Sequence, residues 1–451
     1  MMDLIREYLQ SRGYETVEAD FYAQIDEWRD WFVGALDNFH KISFYNGITT
    51  VNREVKMLGM AKTVCETWAN LEMNERVHIG TGDEAQDEKL IEVLTKNKFW
   101  KNANRLCELY FALGTGAFVE YIDNGKIKID YVRADMIFPL AWDATGITEC
   151  AFASIKHIGD IDYTYLQMHT INESGKYVIE NHLLSKSKDG IIVDHLPEDT
   201  AEIFETNSEI PFFQIVTTNI INNYDLDNPM GVSVFGNSID ILKELDTTFD
   251  ALDIEIYTGR RMVFLSADQF FVDKDGVERN TIAKGETVIR FLGGMDDQMI
   301  KDYSPTLRTK DLIDTIQFQL NLLSEKCGMG TNTFEFTPSG VKTATEIISE
   351  DSDLYQNLKK HEIILQEALE GLILAIAELS KMKEINEPIT VTDIQINFDD
   401  SIIQDKEAER QQYKEEVAMG TMSEVEYRMR VYNEDEETAK SKIPEKADVM
   451  P

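Results

Sequence analysis

Cysteine, proline and positive charge are all scarce in this sequence. Its 451 residues include only four cysteines and nine prolines, and 82 acidic side chains outnumber 44 basic ones. The few prolines and the absence of a low-complexity run argue against a flexible string of domains. The cysteines follow no metal-ligand or paired spacing, which predicts free thiols in a reducing compartment. They are Cys65, Cys107, Cys150 and Cys327.

The sequence also lacks a long apolar run and a recognisable targeting signal. Its most apolar stretch, residues 369–379, is too short to span a bilayer and is interrupted by Glu370 and Glu378. No apolar run behind a basic start marks a signal peptide at the beginning of the sequence. We therefore expect a soluble, intracellular protein with no membrane partner.

Motifs that carry chemistry are missing as well. The sequence has no P-loop pattern and no His-Glu-x-x-His pattern. The segment Gly231–Phe235 falls one glycine short of a nucleophile elbow. Asp273–Gly276 starts like a calcium loop, but its glycine comes too early, so a hairpin turn is the better interpretation. His40, His78 and His361 show no partner in the sequence. We predict no catalytic residue, no metal site and no cofactor.

The excess of acid gives a formal net charge of -38. A surface of this kind repels nucleic acid, which argues against binding DNA through many phosphate contacts. Hydrophobic residues still make up 43% of the chain, enough to bury real cores. A chain of this length exceeds one core of ordinary size, so we expect two to four structural units.

The first half of the chain changes from helical to strand periodicity. Residues 1 to about 120 are predicted to be mostly helical, with an aromatic stripe at Tyr22, Trp28 and Trp31. From 117 to 216 the apolar period is two, and Asn124-Gly125 predicts a type I′ hairpin. These patterns predict an α+β body with an antiparallel sheet. The predicted helices are 56–73 and 97–113, and the later strands are 151–157, 163–171, 176–183 and 212–217.

An ordered series of elements follows Gly231. A helix with apolar residues on one face carries Asp246, Asp250, Asp253 and Glu255 on the other. It leads into a strand-rich insert, a return helix, a glycine-marked loop and a helix of about 60 Å. Charged helices close the chain, one of them with a capping box. The return helix is predicted at 311–327, the long helix at 343–382, a strand at 388–398 and the capping box at Ser423 with Glu426.

Several segments form a recognisable series along the chain. They are Trp28–Gly34 with Phe39-His40, Met60–Leu71 followed by Asn74-Glu75, Asn228–Phe235 with its acidic helix, Lys342–Ile347, and Ser352–Tyr355. Together they resemble the portal proteins of tailed bacteriophages, of the type found in phages of Gram-positive bacteria. No single segment is specific, and the resemblance rests on their order across nearly the whole chain.

The resemblance implies an α+β, mostly helical, portal-type fold. Its regions are called wing, stem, clip and crown. In this sequence they are a wing at 1–232, a first stem helix at 233–260, a clip at 261–306, a second stem helix at 307–328, a tunnel loop at 329–343, the long wing helix with a returning strand at 344–398, and a crown at 399–451.

The resemblance also implies a function. Portal proteins form rings, usually of about twelve copies, at one capsid vertex, and double-stranded DNA passes through the channel during packaging and ejection. The clip meets the terminase large subunit first and the head-to-tail adaptor later. Scaffold and major capsid proteins are further partners. The implied location is the virion, and the host cytoplasm during assembly. A separate terminase would supply the energy, consistent with a chain that is not an enzyme.

Three sets of residues follow as candidates for these roles. Basic residues near the channel guide DNA or seat partners, or they are ordinary solvated charges, and both interpretations stay open. Phe334 and Phe336 pack in the base of the loop or line the constriction. The tunnel-loop set is Thr331, Asn332, Phe334, Phe336 and Lys342, the stem and clip set is Arg260, Arg261, Arg308 and Lys310, and the clip docking set is Asp273, Lys274, Asp275 and Arg279.

A rival hypothesis is an intracellular helical scaffold or adaptor that binds proteins and never contacts DNA, and a third is an enzyme with an unrecognised site. The stalk-and-tip layout and the glycine-marked loop before a very long helix favour the portal, because a scaffold has no need of that loop.

Overall fold

The protein is an α+β molecule in which two packed helices and one very long helix join a helical layer to antiparallel sheets. The computed structural model describes residues 2–45, 49–73, 77–159, 161–187, 190–197, 200–260, 262–266, 270–272, 278–280, 288–291, 301–303, 305–335, 344–382, 388–398, 413–414, 416–419, 421–432, 440 and 442.

The N-terminal part is a helical layer built around buried aromatic side chains. Tyr22, Trp28 and Trp31 are buried, which confirms the predicted aromatic stripe on the second helix, and Trp68 on the fourth helix is fully buried as well. These rings supply large apolar areas to the core. The helices are α1 (Met2–Ser11), α2 (Ala19–Val33), α3 (Asp37–His40), α4 (Met60–Glu72), α5 (Glu84–Lys96) and α6 (Phe99–Leu113).

This layer differs from the prediction in three places. Helix α4 begins four residues later than predicted, because Gly59 before it adopts a left-handed conformation. Helix α5 was not predicted, since only Leu90 and Leu94 are buried on it. Its start is fixed by the Asp83 carboxylate, which accepts hydrogen bonds from the backbone N–H groups of Ala85 and Gln86. A hairpin of β1 (Lys41–Tyr45) and β2 (Thr50–Glu54) also interrupts the helices.

Two antiparallel sheets follow. The strands β4 (Thr115–Asp123) and β5 (Lys126–Arg133) form the predicted hairpin, and Asn124 and Gly125 both have positive φ, as a type I′ turn requires. The strand β12 (Phe213–Thr217) pairs with β4 to give the order β12-β4-β5. The larger sheet has the order β10-β9-β8-β7-β6, and β11 also pairs with β9. Its strands are β6 (Ile137–Asp143), β7 (Gly146–Ile158), β8 (Ile161–Ile171), β9 (Tyr177–Ser187), β10 (Gly190–Asp194) and β11 (Ile203–Glu205).

The long helix packs across the smaller sheet. It is α9 (Ala344–Ser380), whose 37 residues span about 55 Å, so the predicted helix is confirmed. Its buried side chains include Leu365, Leu369 and Leu372, which contribute to the same core as α4 and α6. Burial of a continuous apolar stripe explains why so long a helix is stable.

The strand predicted after α9 is shorter than expected. Only β18 (Gln395–Asn397) forms a ladder, and it pairs with β3 (His78–Gly80) in the helical layer. The preceding residues direct their backbone N–H groups elsewhere, because Ile389 donates to the Ser380 hydroxyl and Thr390 donates to the Gln86 side chain. A ladder therefore cannot extend through them.

A helix pair, α7 (Ile239–Thr258) and α8 (Thr309–Lys326), brackets the insert. Thr248 meets Gln319 while Glu255 meets Arg308, so the two helices run antiparallel. In the insert, β13 pairs in parallel with β16 and antiparallel with β17, and β14 pairs with β15. Its strands are β13 (Met262–Ser266), β14 (Phe270–Val272), β15 (Glu278–Asn280), β16 (Val288–Phe291) and β17 (Lys301–Tyr303).

Three smaller predictions can also be checked. The Ser423 hydroxyl accepts from the Glu426 N–H while the Glu426 carboxylate accepts from the Ser423 N–H, which confirms the capping box before α10 (Glu424–Tyr432). All four cysteines are buried and free. Within the described ranges, no helix has the length and apolar character needed to cross a membrane.

A close crossing of two backbone segments joins the sheet to the start of the helix pair. A side chain on Gly114 would place its Cβ 2.2 Å from the Gly231 carbonyl oxygen, and Gly114 has φ of +84°. Gly175 has a similar φ of +75°, but no atom lies within 4 Å of its Cβ position. The crossing therefore needs glycine for space as well as for conformation.

We expect Gly114→Ala to lower the free energy of unfolding by roughly 3 kcal/mol, since overpacking adds to the left-handed penalty. Gly175→Ala, the matched control, should lower it by about 1 kcal/mol, because only the penalty remains. Urea denaturation followed by circular dichroism measures both. Equal losses in the two variants would show that the crossing is not tight.

Candidate functional site

The helix pair has a closed inner seam and an open outer end. Leu242 and Leu245 on α7 face Ile316, Leu320 and Leu323 on α8, and all five are buried. The seam matches the apolar face predicted for each helix. Towards the insert the pattern changes, because the apolar residues predicted to continue these faces, Ile256 and Ile313, are about half exposed.

Asp246, the first of the four acids predicted opposite the apolar face of α7, is not on a solvent face. Asp246 is buried, and its carboxylate contacts the His40 Nε2 at 2.8 Å and accepts from the Leu58 backbone N–H at 2.8 Å. The face of α7 that was predicted to carry the acids is therefore covered by the chain here, and the prediction that His40 has no partner is wrong. Burial raises the pKa of Asp246, while the Leu58 and His40 hydrogen bonds oppose that rise.

The second acidic residue, one turn further along α7, is buried by the same segment. The Arg53 guanidinium donates two hydrogen bonds to the Asp250 carboxylate, at 2.7 and 2.6 Å. The Lys56 backbone N–H donates a third, at 3.1 Å. Burial favours the neutral acid, but the hydrogen bonds and charges of Arg53 and Lys56 together outweigh it and lower the pKa of Asp250. We call the His40, Arg53, Lys56 and Leu58 contacts to Asp246 and Asp250 the carboxylate clamp.

The sequence could not reveal the clamp. The residues that contact Asp246 and Asp250 precede them by roughly 190 to 210 positions, so no local spacing connects them. A helix with acids every three or four residues looks the same whether those acids meet water or an arginine. The only signal available was the pair of basic residues, His40 and Arg53, flanking an otherwise featureless hairpin.

The glycine-marked loop after α8 is anchored at its entry. Gly328 and Gly330 both have positive φ, which lets the chain turn sharply out of the helix. The Trp68 indole N–H donates to the Cys327 carbonyl at 3.1 Å, and the Asn357 amide donates to the Gly328 carbonyl at 3.0 Å. One anchor comes from α4 and the other from α9, so the helical layer and the long helix together fix where the loop starts.

The predicted tunnel-loop residues divide between exposed and packed. Thr331 is exposed and Asn332 is half-buried. Phe334 is half-buried against the hydrophobic core, and its carbonyl accepts from the Gln317 amide at 3.4 Å. Its ring packs against the core, and a place for it at the channel constriction stays a prediction. Phe336 and Lys342 lie outside the described residues.

Among the predicted basic residues, Arg308 has a clear structural partner. Its guanidinium and its backbone N–H both donate to the Glu255 carboxylate, at 2.7 and 3.0 Å. This contact joins the two helices where the insert begins. Arg260 lies over the Tyr257 ring, 4.3 Å from its centre, and Lys310 is exposed.

Most of the residues predicted to dock partners on the insert lie outside the described part of the chain. Arg279 lies on β15, where its backbone pairs with Phe271. Arg261, Asp273, Lys274 and Asp275 lie outside the described residues. Their roles stay predictions.

A buried histidine elsewhere also differs from the prediction. His361 on α9 was predicted to lack a partner, but its Nδ1 accepts from the Asn219 backbone N–H at 3.1 Å. Burial lowers its pKa to about 4, so the ring is neutral and acts as an acceptor. In the part of the chain that the structure describes, no three His, Cys, Asp or Glu side chains group as a metal site.

We expect Asp250→Asn to lower the free energy of unfolding by about 2 kcal/mol near neutral pH, because Arg53 loses its charged partner. The folded-state pKa of Asp250 is lowered, so its contribution is present above about pH 4 and is lost as the pH falls through the folded value. Urea denaturation over a pH series should therefore show the gap between wild type and variant closing in acid. Asp253→Asn, an exposed acid on the same helix, is the control and should change little.

Two solved structures are similar to this chain over most of its length. No curated protein matches the chain. A structure described as "Virion of native gene transfer agent (GTA) particle" is 9% identical, with 95% of this chain and 98% of that chain covered and a TM-score of 0.48. Another, "Neck of native GTA particle computed with C12 symmetry", is 9% identical, with 89% and 93% covered and a TM-score of 0.44.

The family comparison covers nearly the whole sequence. Residues 14–448 match the family model described as "Phage portal protein, SPP1 Gp6-like". The predicted α+β, mostly helical, portal-type fold is confirmed. The match favours the portal over the scaffold hypothesis. With 435 of its 451 residues inside the match, the chain belongs to the SPP1 Gp6-like family of phage portal proteins.

Proposed function

We propose that this protein assembles into a ring of about twelve copies at one vertex of a tailed-phage capsid, and that double-stranded DNA passes through its channel during packaging and ejection. Closed rings arise when each copy presents two different faces that join at a constant angle. In this proposal the helix pair is the stem, the insert is the clip, residues 329–343 form the tunnel loop, and residues 399–451 form the crown.

The outer end of the helix pair carries the proposal. Five large apolar side chains there are partly or mostly exposed, and a sixth, Phe318, midway along α8, is 69% exposed. An apolar surface on a narrow two-helix element is unfavourable in water and calls for a neighbour. Copies arranged side by side around a channel would cover it. The six are Ile254, Ile256, Tyr257, Leu307, Ile313 and Phe318.

The charge distribution supports passage of DNA without tight binding. Two of the basic groups nearest the helix pair, Arg53 and Arg308, are already paired with Asp250 and Glu255. Each free cation facing a phosphate would add affinity and slow the DNA. An acidic wall with few free cations would keep the DNA centred and mobile, so the channel needs no sequence-specific contacts.

The remaining partners follow from the same assignment. The insert at the outer end of the helix pair would dock the terminase large subunit during packaging and the head-to-tail adaptor afterwards. Scaffold and major capsid proteins would contact the ring during assembly in the host cytoplasm, and the mature location would be the virion. The protein would act through shape and docking, and a separate terminase would hydrolyse the nucleotide.

We expect the purified protein to form closed rings with an axial hole, and Phe318→Asp to prevent them, because a charge on the apolar face cannot be buried between copies. Light scattering gives the mass, and negative-stain microscopy of the same peak gives the shape. Val193→Asp, at an exposed apolar residue of the large sheet, is the control and should still form rings.

The same measurement distinguishes the proposed ring from the rival scaffold hypothesis. A compact dimer that buries the helix pair, or an open filament, would support the scaffold instead. Rings of Phe318→Asp indistinguishable from wild type would remove the helix pair from the subunit contact.

A second experiment tests the role of the basic residues in guiding DNA. We expect Arg308→Ala and Lys342→Ala to slow DNA packaging in a terminase-driven assay. Glu255→Gln removes the partner of Arg308 but keeps the cation, so it separates guidance from bracing of the helices. Slower packaging in Arg308→Ala alone supports guidance, whereas equal slowing in both variants indicates bracing. Normal packaging in Arg308→Ala and Lys342→Ala would end the guiding role.

A further inference from the structure

A loop just before the helix pair is held rigid by its own asparagines. Asn222 donates from its amide to the Met230 carbonyl at 2.9 Å, and its side-chain oxygen accepts from the backbone N–H groups of Tyr224 and Asp225. The Asn228 oxygen accepts from the Met230 N–H at 3.0 Å. We call residues 221–230 the asparagine-braced loop. Such side-chain bonds fix a turn without regular secondary structure.

The loop is also tied to the residues that precede α7. The Asn223 and Asn237 amides donate to each other's oxygens at 2.9 and 3.0 Å. The Tyr224 hydroxyl donates to the Gly236 carbonyl at 2.9 Å, and its ring lies edge-on to Trp28 at 5.6 Å. The loop therefore moves with the base of α7 as one unit.

This rigid loop presents two aliphatic side chains to solvent. Leu226 is 80% exposed and Ile221 is 78% exposed, more than any other large apolar side chain in the described ranges. The acids Asp225 and Asp227 flank Leu226. Side chains held in place before binding lose little entropy on docking, which makes a rigid apolar projection well suited to a protein contact. The two flanking acids make DNA an unfavourable partner.

We propose that the asparagine-braced loop is a subunit contact, in which Leu226 and Ile221 insert against a second copy of this chain. The inference rests on the ring proposed above and names a contact within it. The loop leads through a short 3-10 turn at Gly236–Ser238 into α7, so Leu226 and Ile221 project at the body end of the helix pair.

The chain offers a receiving surface of matching chemistry. Val33 and Met57 are exposed next to each other, since the Met57 side chain lies over Gly34. Exposed Lys56 stands beside them and complements the acids that flank Leu226. Met57 immediately precedes Leu58, which bonds to Asp246 in the carboxylate clamp, so this surface also belongs to the base of α7. Both surfaces are tied to the same helix, the loop through Asn237 just before it and Met57 through its neighbour Leu58.

The first test replaces both aliphatic side chains, with Ile221→Asp and Leu226→Asp combined. Ring mass is measured by light scattering over a concentration series for this variant, for wild type and for Ile155→Asp. Ile155 is a half-exposed isoleucine on β7 and serves as the control. We expect the double variant to need at least tenfold more protein to form rings, and the control to match wild type. Circular dichroism should show the same helix content in all three, because both side chains contact mainly water.

The second test cross-links the two surfaces with Leu226→Cys and Met57→Cys. The four native cysteines are buried, so a mild oxidant should act on the introduced pair. We expect a ladder of covalent oligomers on a non-reducing gel, while either single variant gives at most dimers.

The outcomes separate this inference from the function it rests on. A wild-type chain that never forms rings overturns both. Wild-type rings that form equally well from the double variant, with no ladder from the cysteine pair, overturn the contact and leave the portal assignment standing. If the double variant forms rings normally but no longer binds a capsid or tail protein, the loop contacts that partner and the proposed subunit contact is overturned.

Discussion

The burial of two carboxylates at the base of α7 fixes the relation between the helix pair and the body. Desolvating Asp246 and Asp250 is unfavourable unless their charges are met, and the carboxylate clamp meets them with an arginine, a histidine and two backbone N–H groups. The bidentate geometry at Asp250 is directional as well as strong. It therefore sets the angle at which α7 leaves the helical layer, and with it the position of α8 and the insert.

The scarcity of basic residues also determines the charge of the surface. With 44 basic residues against 82 acidic ones, an arginine that pairs with a carboxylate of the chain neutralises that acid and leaves the excess of acidic residues elsewhere uncompensated. Arg53, Arg308 and Arg12 all pair with carboxylates of the chain itself. The protein thus combines local ion pairing with a strongly repulsive field at longer range. In the proposed channel such a field would oppose adhesion of DNA to the wall.

Periodicity in the sequence predicted the long elements, because each helix carries its own apolar stripe. Helices α7, α8 and α9 and the Asn124-Gly125 turn were all found where local pattern placed them. Interactions across long separations were not predictable. Neither the contact of His40 with Asp246 nor that of Trp68 with Cys327 leaves a mark in local spacing. The resemblance to portal proteins supplied the order of regions, and the residue contacts came only from the structure.

The helix pair is held at both of its inner ends. The carboxylate clamp holds the first half of α7, while Trp68 and Asn357 hold the carbonyl groups just after α8. Because the helices are antiparallel, these two attachments lie side by side at the body, and the apolar outer end stays uncovered. A ring closes only if every copy makes the same angle with the next. An element fixed at its base and apolar along its free side meets that requirement, whereas a hinged one would permit open, irregular assemblies.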